Sequence, residues 1–218
     1  MLSCIRVICH SAHFSKMLHK ELLSYGLSIS DSAEHIILVE SSLSTASTEL
    51  ENPDIDPSKV IVFTPNPCPE YWDDIINMGV LGLVVNGLTE DMILAAVKAL
   101  STKQALKHMP QGKQTALTIQ EREVLRLVAR SFSNKVIGDI VRKSGNTIGN
   151  NISIILEKLG GTYSELRLDN RSCLVHYYYG FWNNIGKNCK YSRLARENRE
   201  KARQAGYEDM GYSRAIVK

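Results

Sequence analysis

Hydrophobic and polar positions follow two different patterns along this chain. Up to about residue 104, short runs of aliphatic residues alternate with stretches whose apolar residues recur at helical spacing. This alternation predicts a parallel sheet with crossover helices, an α/β fold of flavodoxin-like type. The predicted strands cover residues 5–9, 35–39, 60–64 and 81–85, with a candidate short strand at 27–30, and the predicted helices cover 14–25, 70–77 and 89–101.

One part of this fold has little room. Ser11, after the first predicted strand, and Glu40, after the strand at 35–39, lie only 29 residues apart. Two complete helices and a strand do not fit easily into that distance. We therefore expect the second helix of the fold to be missing or reduced to a single turn.

From residue 117 onward the pattern is helical throughout. Thr118 and Glu121 form a capping-box pattern for a first helix, and Ser133 and Ser144 can cap a second and a third. The apolar positions are Val124, Leu125, Leu127 and Val128 in the first helix, Val136, Ile137, Ile140 and Val141 in the second, and Ile148, Ile152, Ile155, Leu156 and Leu159 in the third. Only residues 142–145 separate the last two helices, so these must cross steeply and the third can project into a DNA major groove. The alternative is a generic three-helix interaction domain.

Charge is distributed unevenly between the two halves. Residues 1–104 contain six Lys or Arg and thirteen Asp or Glu, a balance of −7, whereas residues 105–218 contain twenty and ten, a balance of +10. A basic half beside an acidic half is typical of a protein that presents one domain to phosphate. Two domains that attract each other would give the same asymmetry.

The helical segment resembles the LuxR-type helix-turn-helix of bacterial response regulators. The resemblance rests on Leu-Thr-x-x-Glu-Arg-Glu-Val-Leu at 117–125, Ser-Asn-Lys-x-Ile at 133–137, Ser-x-x-Thr-Ile at 144–148 and Leu-x-Lys-Leu-Gly at 156–160. It implies a fourth helix, which would begin at the Asn-Arg-Ser of 170–172 after an insertion at 162–169. The aromatic run at 176–182 is then either a dimer surface, a cover for the enlarged loop, or a surface that stacks bases of a single strand.

The resemblance also implies which residues face DNA. Carried over by position, the candidates on the third helix are Asn146, Thr147, Gly149, Asn150, Asn151 and Ser153. Asn150 and Asn151 are the base-reading candidates, because asparagine can pair in bidentate fashion with adenine. Lys135, Arg142, Lys143 and Lys158 would contact phosphates, or would form an exposed charged face without a partner. Many family members have lysine at the positions of Asn146 and Gly149, so we expect low affinity per domain.

The first half resembles a response-regulator receiver domain, in the order of its elements and in the run Gly-Val-Leu-Gly-Leu-Val-Val at 79–85. A working receiver holds Mg²⁺ with paired acidic residues, accepts phosphate on an aspartate and uses a hydroxyl residue and a lysine. The matching positions are Ser11 and Ala12, then Glu40, Thr64 and Asn86, so that only Thr64 is retained. We expect no phosphotransfer. Glu40 either provides a fixed negative charge or, in the interpretation the sequence favours, is a solvated residue at a strand end.

Little else in the sequence points to chemistry. Cys9, His10 and His13 share one loop and could bind metal or act in nucleophilic catalysis, but no further ligand spacing follows. A Gly-rich phosphate loop and a Gly-x-Ser-x-Gly elbow are both lacking, so neither an enzyme nor a cofactor is expected. Five cysteines, an odd number without a Cys-x-x-Cys pair, favour a reducing cytoplasm. The N-terminus does not match a signal peptide, and the apolar patch at 78–88 is too short to span a bilayer.

We therefore predict a receiver-like domain at 1–104, a linker at 105–115, a LuxR-type DNA-binding domain at 116–186 and a charged extension at 187–218. The extension is either a basic arm or a solvated tail. The predicted function is a cytoplasmic transcription regulator that binds double-stranded DNA as a dimer without control by aspartate phosphorylation. The alternative is an auxiliary protein that heterodimerises with a related regulator and modulates its DNA binding.

Overall fold

Residues 3–40, 45–111, 115–166 and 168–181 are described by the structure, which is a computed structural model. The chain divides into two units, Met1–Thr115 and Ala116–Lys218, and each is considered by itself. The predicted 187–218 extension, Trp182 of the aromatic run and Cys189 lie outside the described residues.

The first unit is built on a parallel sheet. In chain order its elements are β1 Cys4–Cys9, α1 Ala12–Ser24, β2 Ser28–Ile29, β3 Ile36–Val39, α2 Ala46–Glu49, a 3-10 turn Pro57–Lys59, β4 Val60–Thr64, α3 Pro69–Asn77, β5 Gly82–Val85, α4 Glu90–Thr102 and β6 Leu106–His108. The described strands are all parallel, in the order β2-β1-β3-β4-β5-β6. Every residue of β3, β4 and β5 is buried, as expected of parallel strands covered on both faces. The predicted α/β fold of flavodoxin-like type is confirmed.

Helices pack on both faces of this sheet. On one face, Leu18 and Leu22 of α1 and Ile93 of α4 share a core with Ile61 and Phe63 of β4. Strand residues alternate between the faces, and elsewhere α3 packs against β5 and α2 packs against α3. The two faces together bury the aliphatic runs from which the strands were predicted.

The second helix of the fold is missing, as the spacing predicted. Residues 30–35 connect β2 to β3 without a helix. Strand β2 pairs only with Cys4 and Ile5, at the beginning of β1, and β3 begins opposite the next residue, Arg6. The end of β2 and the start of β3 therefore lie at the same level along β1, so the chain does not need a helix to return along the sheet. The helix after β3 is also short, since α2 has only four residues.

One strand was missed, and it corrects a predicted boundary. Strand β6, Leu106–His108, pairs with Gly82–Val84 of β5 inside the segment 105–115 that was predicted to be a linker. That segment is therefore part of the sheet at its beginning. With only three residues, two of them polar and exposed, β6 has no hydrophobic pattern from which it could be predicted.

The second unit contains four described helices: α5 Ile119–Ala129, α6 Asn134–Val141, α7 Gly145–Thr162 and α8 Arg171–Tyr178. The capping box at Thr118 and Glu121 is present. The hydroxyls of Ser133 and Ser144 accept from backbone N–H groups in the first turn of their helices, at Val136 and Thr147. Helix α7 continues to residue 162, so the insertion forms a loop only from residue 163 onward.

The predicted apolar stripes of α5 and α7 are largely buried, but that of α6 is not. Val136 and Ile140 have exposed fractions of 40% and 49%, whereas Ile137 is fully buried. Helix α6 packs mainly against α7, along the side that carries Ile137 and Gly138. Of the four apolar residues named for this helix, Val136 and Ile140 therefore lie largely outside the core.

Among the helices that the structure describes, none combines the length and the apolar character needed to cross a membrane.

Candidate nucleic-acid interface

The turn between α6 and α7 sets the direction of the third helix of the motif. Arg142 adopts a left-handed conformation with φ of 56°, and the backbone N–H of Lys143 donates to the carbonyl oxygen of Gly138 at 2.8 Å. A Cβ at Gly138 would overlap the carbonyl oxygen of Lys143. The turn can close this tightly because residue 138 has no side chain, a requirement that the sequence motif did not reveal.

Helix α7 presents a polar face from its first turn. Asn146, Thr147, Asn150 and Ser153 are exposed, and Asn151 is half-buried. None of the residues from 145 to 156 is charged. Exposed amide and hydroxyl groups on a projecting helix can donate to and accept from base edges. These residues therefore lie together along one side of α7.

Gly149 occupies a different position from the other candidates. It is half-buried, and a Cβ built on it would lie 3.7 Å from the Nδ2 atom of Asn134 at the start of α6, an ordinary contact. The position thus faces α6 and has room for a side chain. Gly149 is better described as part of the α6–α7 contact than as a base-reading position.

Three of the four predicted phosphate anchors are exposed cations. Lys135 lies in the first turn of α6, and Arg142 and Lys143 lie in the turn that follows this helix. Lys143 is also within hydrogen-bond distance of the Oε1 atom of Gln120, at 3.3 Å. Together they give the surface beside the start of α7 a positive charge that suits phosphate.

The fourth predicted anchor, Lys158, is already paired inside the domain. Its Nζ atom contacts the two carboxylate oxygens of Glu121 at 2.8 and 2.9 Å. Burial opposes ionisation of Glu121, but the hydrogen bonds from Lys158 and Thr118 outweigh it and hold the pKa of this carboxyl below its usual range. The pair ties α7 to the start of α5, so Lys158 is not part of the interface that we propose below.

Arg171, which the sequence analysis did not single out as a site residue, connects α8 to the beginning of α6. Arg171, half-buried at the start of α8, donates to the Oδ1 atom of Asn134 at 2.6 Å and to the carbonyl oxygen of Phe132. Burial lowers its pKa. The Asn-Arg-Ser pattern predicted a helix start here, but nothing in the pattern showed that the arginine reaches the turn between α5 and α6.

In the first unit, the positions that match the receiver's phosphate site lie at one edge of the sheet. Ser11 caps α1 by accepting from the N–H of Phe14, and Ala12 is the exposed first residue of that helix. Asn86 is exposed, with φ of 53°, and its N–H donates to the carbonyl oxygen of Thr64 at 2.9 Å. None of these three side chains supplies a carboxylate or an ammonium group.

Glu40 corrects the interpretation that the sequence favoured. Its side chain is not solvated but has an exposed fraction of only 4%. The Oε1 atom accepts from the hydroxyl of Tyr71 at 2.5 Å and from the N–H of Ala46 at 2.6 Å. Burial raises the pKa of Glu40, although hydrogen bonds from Thr64, Tyr71 and two backbone amides act in the opposite direction.

The alternative chemistry at Cys9, His10 and His13 gains no support from the geometry. The Nε2 atom of His10 contacts the Oε1 atom of Glu49 at 2.9 Å, and the thiol of Cys9 is directed at the carbonyl oxygen of Ser11. Within the part of the chain that the structure describes, no three His, Cys, Asp or Glu side chains converge as metal ligands would.

Comparison with known proteins supports the resemblance seen in the sequence. No protein-family model matches the chain. A curated relative, the transcriptional regulatory protein DesR of Bacillus subtilis (strain 168), is 29% identical over 107 residues, which cover 46% of this chain and 53% of DesR. The chain therefore matches about half the length of that relative.

The solved structures of RcsB from Salmonella enterica serovar Typhimurium are similar in fold. RcsB bound to the promoter P1flhDC with the phosphomimetic BeF3⁻ is 17% identical, and the match covers 82% of this chain and 98% of RcsB with a TM-score of 0.50. RcsB bound to the promoter rprA is 19% identical, and the match covers 83% of this chain and all of RcsB with a TM-score of 0.45. The match with a TM-score of 0.50 shows a likeness of fold to RcsB, in agreement with a flavodoxin-like first unit followed by a helical second unit.

Proposed function

We propose that the second unit binds double-stranded DNA with α7 in the major groove, and that the chain is a transcription regulator that acts as a dimer. The observation that carries this proposal is the exposed polar face of α7, with Asn146 and Asn150, beside the exposed cations Lys135, Arg142 and Lys143. Amides can read base edges while neighbouring cations hold phosphates and fix the register.

The relatives support the same function. DesR is a transcriptional regulatory protein, and RcsB has been solved bound to promoter DNA. In a dimer, two copies of α7 would contact half-sites about one helical turn apart. We propose that the chain works in the cytoplasm, where DNA is accessible and thiols stay reduced; the described cysteines Cys4, Cys9, Cys68 and Cys173 are all free.

We also propose that aspartate phosphorylation does not control this protein. Ser11 and Ala12 cannot provide a carboxylate cage for Mg²⁺, and Asn86 cannot neutralise phosphoryl oxygens as a lysine would. The Glu40 carboxylate is already used by Tyr71 and Ala46. Incubation with a small phosphodonor should leave the first unit unmodified, and stoichiometric acid-labile phosphate would overturn this part of the proposal.

DNA binding is tested by titrating the full chain with labelled duplex at several salt concentrations. Each phosphate contact contributes about −0.9 to the slope of log K against log salt. Replacing Lys135 or Arg142 with alanine should make the slope shallower by about one unit per residue. Lys98→Ala, at an exposed lysine of α4, is the matched control and should leave the slope unchanged. Identical slopes for all variants would rule out phosphate contacts by α6 and its turn.

A second candidate function is favoured by one observation. The exposed face of α7 has no cation between residues 145 and 156, so its own attraction to DNA is weak. The protein would then be an auxiliary partner that heterodimerises with a related regulator and modulates its binding. Pure protein that ignores every duplex until such a regulator is added would favour this candidate, whereas sequence-preferring binding alone would favour the first.

A further inference from the structure

A buried hydrogen-bond network connects Glu40 to the end of the first unit. The hydroxyl of Tyr71 donates to Oε1 of Glu40 at 2.5 Å. Tyr71 follows Glu70 in the first turn of α3, and both side chains are fully buried. The hydroxyl of Thr115 donates to Oε1 of Glu70 at 2.8 Å. The first turn of α3 therefore has Glu40 bound on one side and Thr115 on the other.

A second route follows the loop that leads from β4 into α3. Thr64 lowers the pKa of Glu40, and the N–H of Asn66 donates to Oγ1 of Thr64 at 3.1 Å. The N–H of Cys68 donates to Oδ1 of Asn66 at 2.8 Å, and its thiol lies 3.4 Å from Oε2 of Glu70. All five side chains are buried, and the loop route meets the first route at Glu70 in the first turn of α3.

Such a network costs stability that apolar side chains would not. Buried polar groups must all be satisfied, and a partly satisfied network is worse than an apolar core. Here the Oε2 atom of Glu40 has no hydrogen-bond partner among the described residues. Thr115, at the other end, is the residue at which the first unit stops. The network therefore connects Glu40, at the end of β3, to Thr115, the last residue of the first unit.

We propose that this network, residues 40, 64, 66, 68, 70, 71 and 115, is a conformational device that couples the surroundings of Glu40 to the anchoring of Thr115. A change that withdraws the Glu40 carboxylate from Tyr71 loosens the first turn of α3, and Thr115 loses a fixed acceptor. The coupling is reciprocal, because it is a free energy shared by the two ends. It goes beyond the proposed function and does not depend on DNA binding.

The first test removes a single hydroxyl from the full chain. Tyr71→Phe should accelerate exchange of the Ala46 amide, which donates to Glu40, at least tenfold, and should shift the methyl NMR signal of Thr115. Tyr25→Phe is the matched control, since Tyr25 also donates to a carboxylate, that of Glu21, at 2.6 Å. The control should change neither signal. An unshifted Thr115 signal in Tyr71→Phe would overturn the coupling.

The second test runs in the opposite direction and changes Thr115, the partly exposed end of the network. Thr115→Val should accelerate exchange of the Ala46 amide at least threefold, whereas Thr102→Val, which also removes a hydroxyl bonded to an acceptor, should not. In the double variant Tyr71→Phe, Thr115→Val, the two accelerations should combine to less than their product. An unchanged Ala46 rate in Thr115→Val, or accelerations that multiply, would show that the two ends are independent.

Discussion

Gly138 tests how far the helix-turn-helix depends on a close backbone approach. In Gly138→Ala the new Cβ overlaps the carbonyl oxygen of Lys143 and lies 3.4 Å from the backbone of Ser144 and Gly145. The turn must move outward, and overpacking of this kind costs about 1–3 kcal/mol. Better helix propensity returns up to about 1 kcal/mol. With that full offset, we expect a net loss of up to about 2 kcal/mol.

Gly160→Ala is the matched control, because it makes the same chemical change in α7 at a position where, apart from the adjacent backbone of the helix, nothing lies within 4 Å of the new Cβ. Propensity alone should stabilise this variant by about 0.5–1 kcal/mol. In a unit of this size, 1 kcal/mol shifts Tm by about 4–8 °C. Thermal unfolding should therefore show Gly138→Ala below the wild type and Gly160→Ala above it. Equal shifts in the same direction would refute the steric argument.

Three further predictions concern charged side chains. Because the pKa of Glu40 is raised, the folded state stays protonated to a higher pH than the unfolded state, and stability should fall as pH rises above the ordinary value of 4.5 towards the folded-state pKa. The midpoint of urea unfolding should show this fall in the wild type and not in Glu40→Gln. The pKa of Glu121 is lowered, so the stability that its ionised form contributes is lost as pH falls through the folded-state pKa. Glu121→Gln keeps the cap but loses the ion pair with Lys158, and it should cost no more than about 1 kcal/mol at neutral pH and little in high salt. A larger loss in high salt would contradict the ion-pair account. Arg171→Lys cannot replace both hydrogen bonds and should cost about 1–3 kcal/mol in thermal unfolding, so a neutral result would show that the arginine contacts are dispensable.

The local pattern of the sequence predicted most of the fold. Strand β4 coincides with the predicted 60–64, and β1, β3 and β5 differ from prediction by one residue at their beginnings. Capping side chains at Thr118, Ser133 and Ser144 located three helix starts, because each is satisfied by a backbone amide within the same turn. These features depend on neighbours along the chain, which a sequence displays directly.

Features that depend on distant residues could not be predicted in this way. The buried Glu40 is hydrogen-bonded by Tyr71, 31 positions later, and the residues around Glu40 in the sequence do not predict that contact. The pairing of Lys158 with Glu121 joins residues 37 positions apart. The helical spacing of Val136 and Ile140 identified the helix, but periodicity does not tell how many sides of a helix are covered, and both side chains are exposed.

The central claim is that α7 reads base edges, and affinity for a selected duplex tests it most directly. Duplexes that the full chain enriches from a random pool are compared with scrambled versions by fluorescence anisotropy, for the wild type, Asn150→Ala and the exposed control Asn77→Ala. We expect Asn150→Ala to lose about 1–3 kcal/mol of discrimination while its binding to scrambled DNA is unchanged, because a bidentate base contact contributes that much. Asn77→Ala should behave as the wild type. Full discrimination by Asn150→Ala, or failure of the pool to enrich any sequence, would contradict the account.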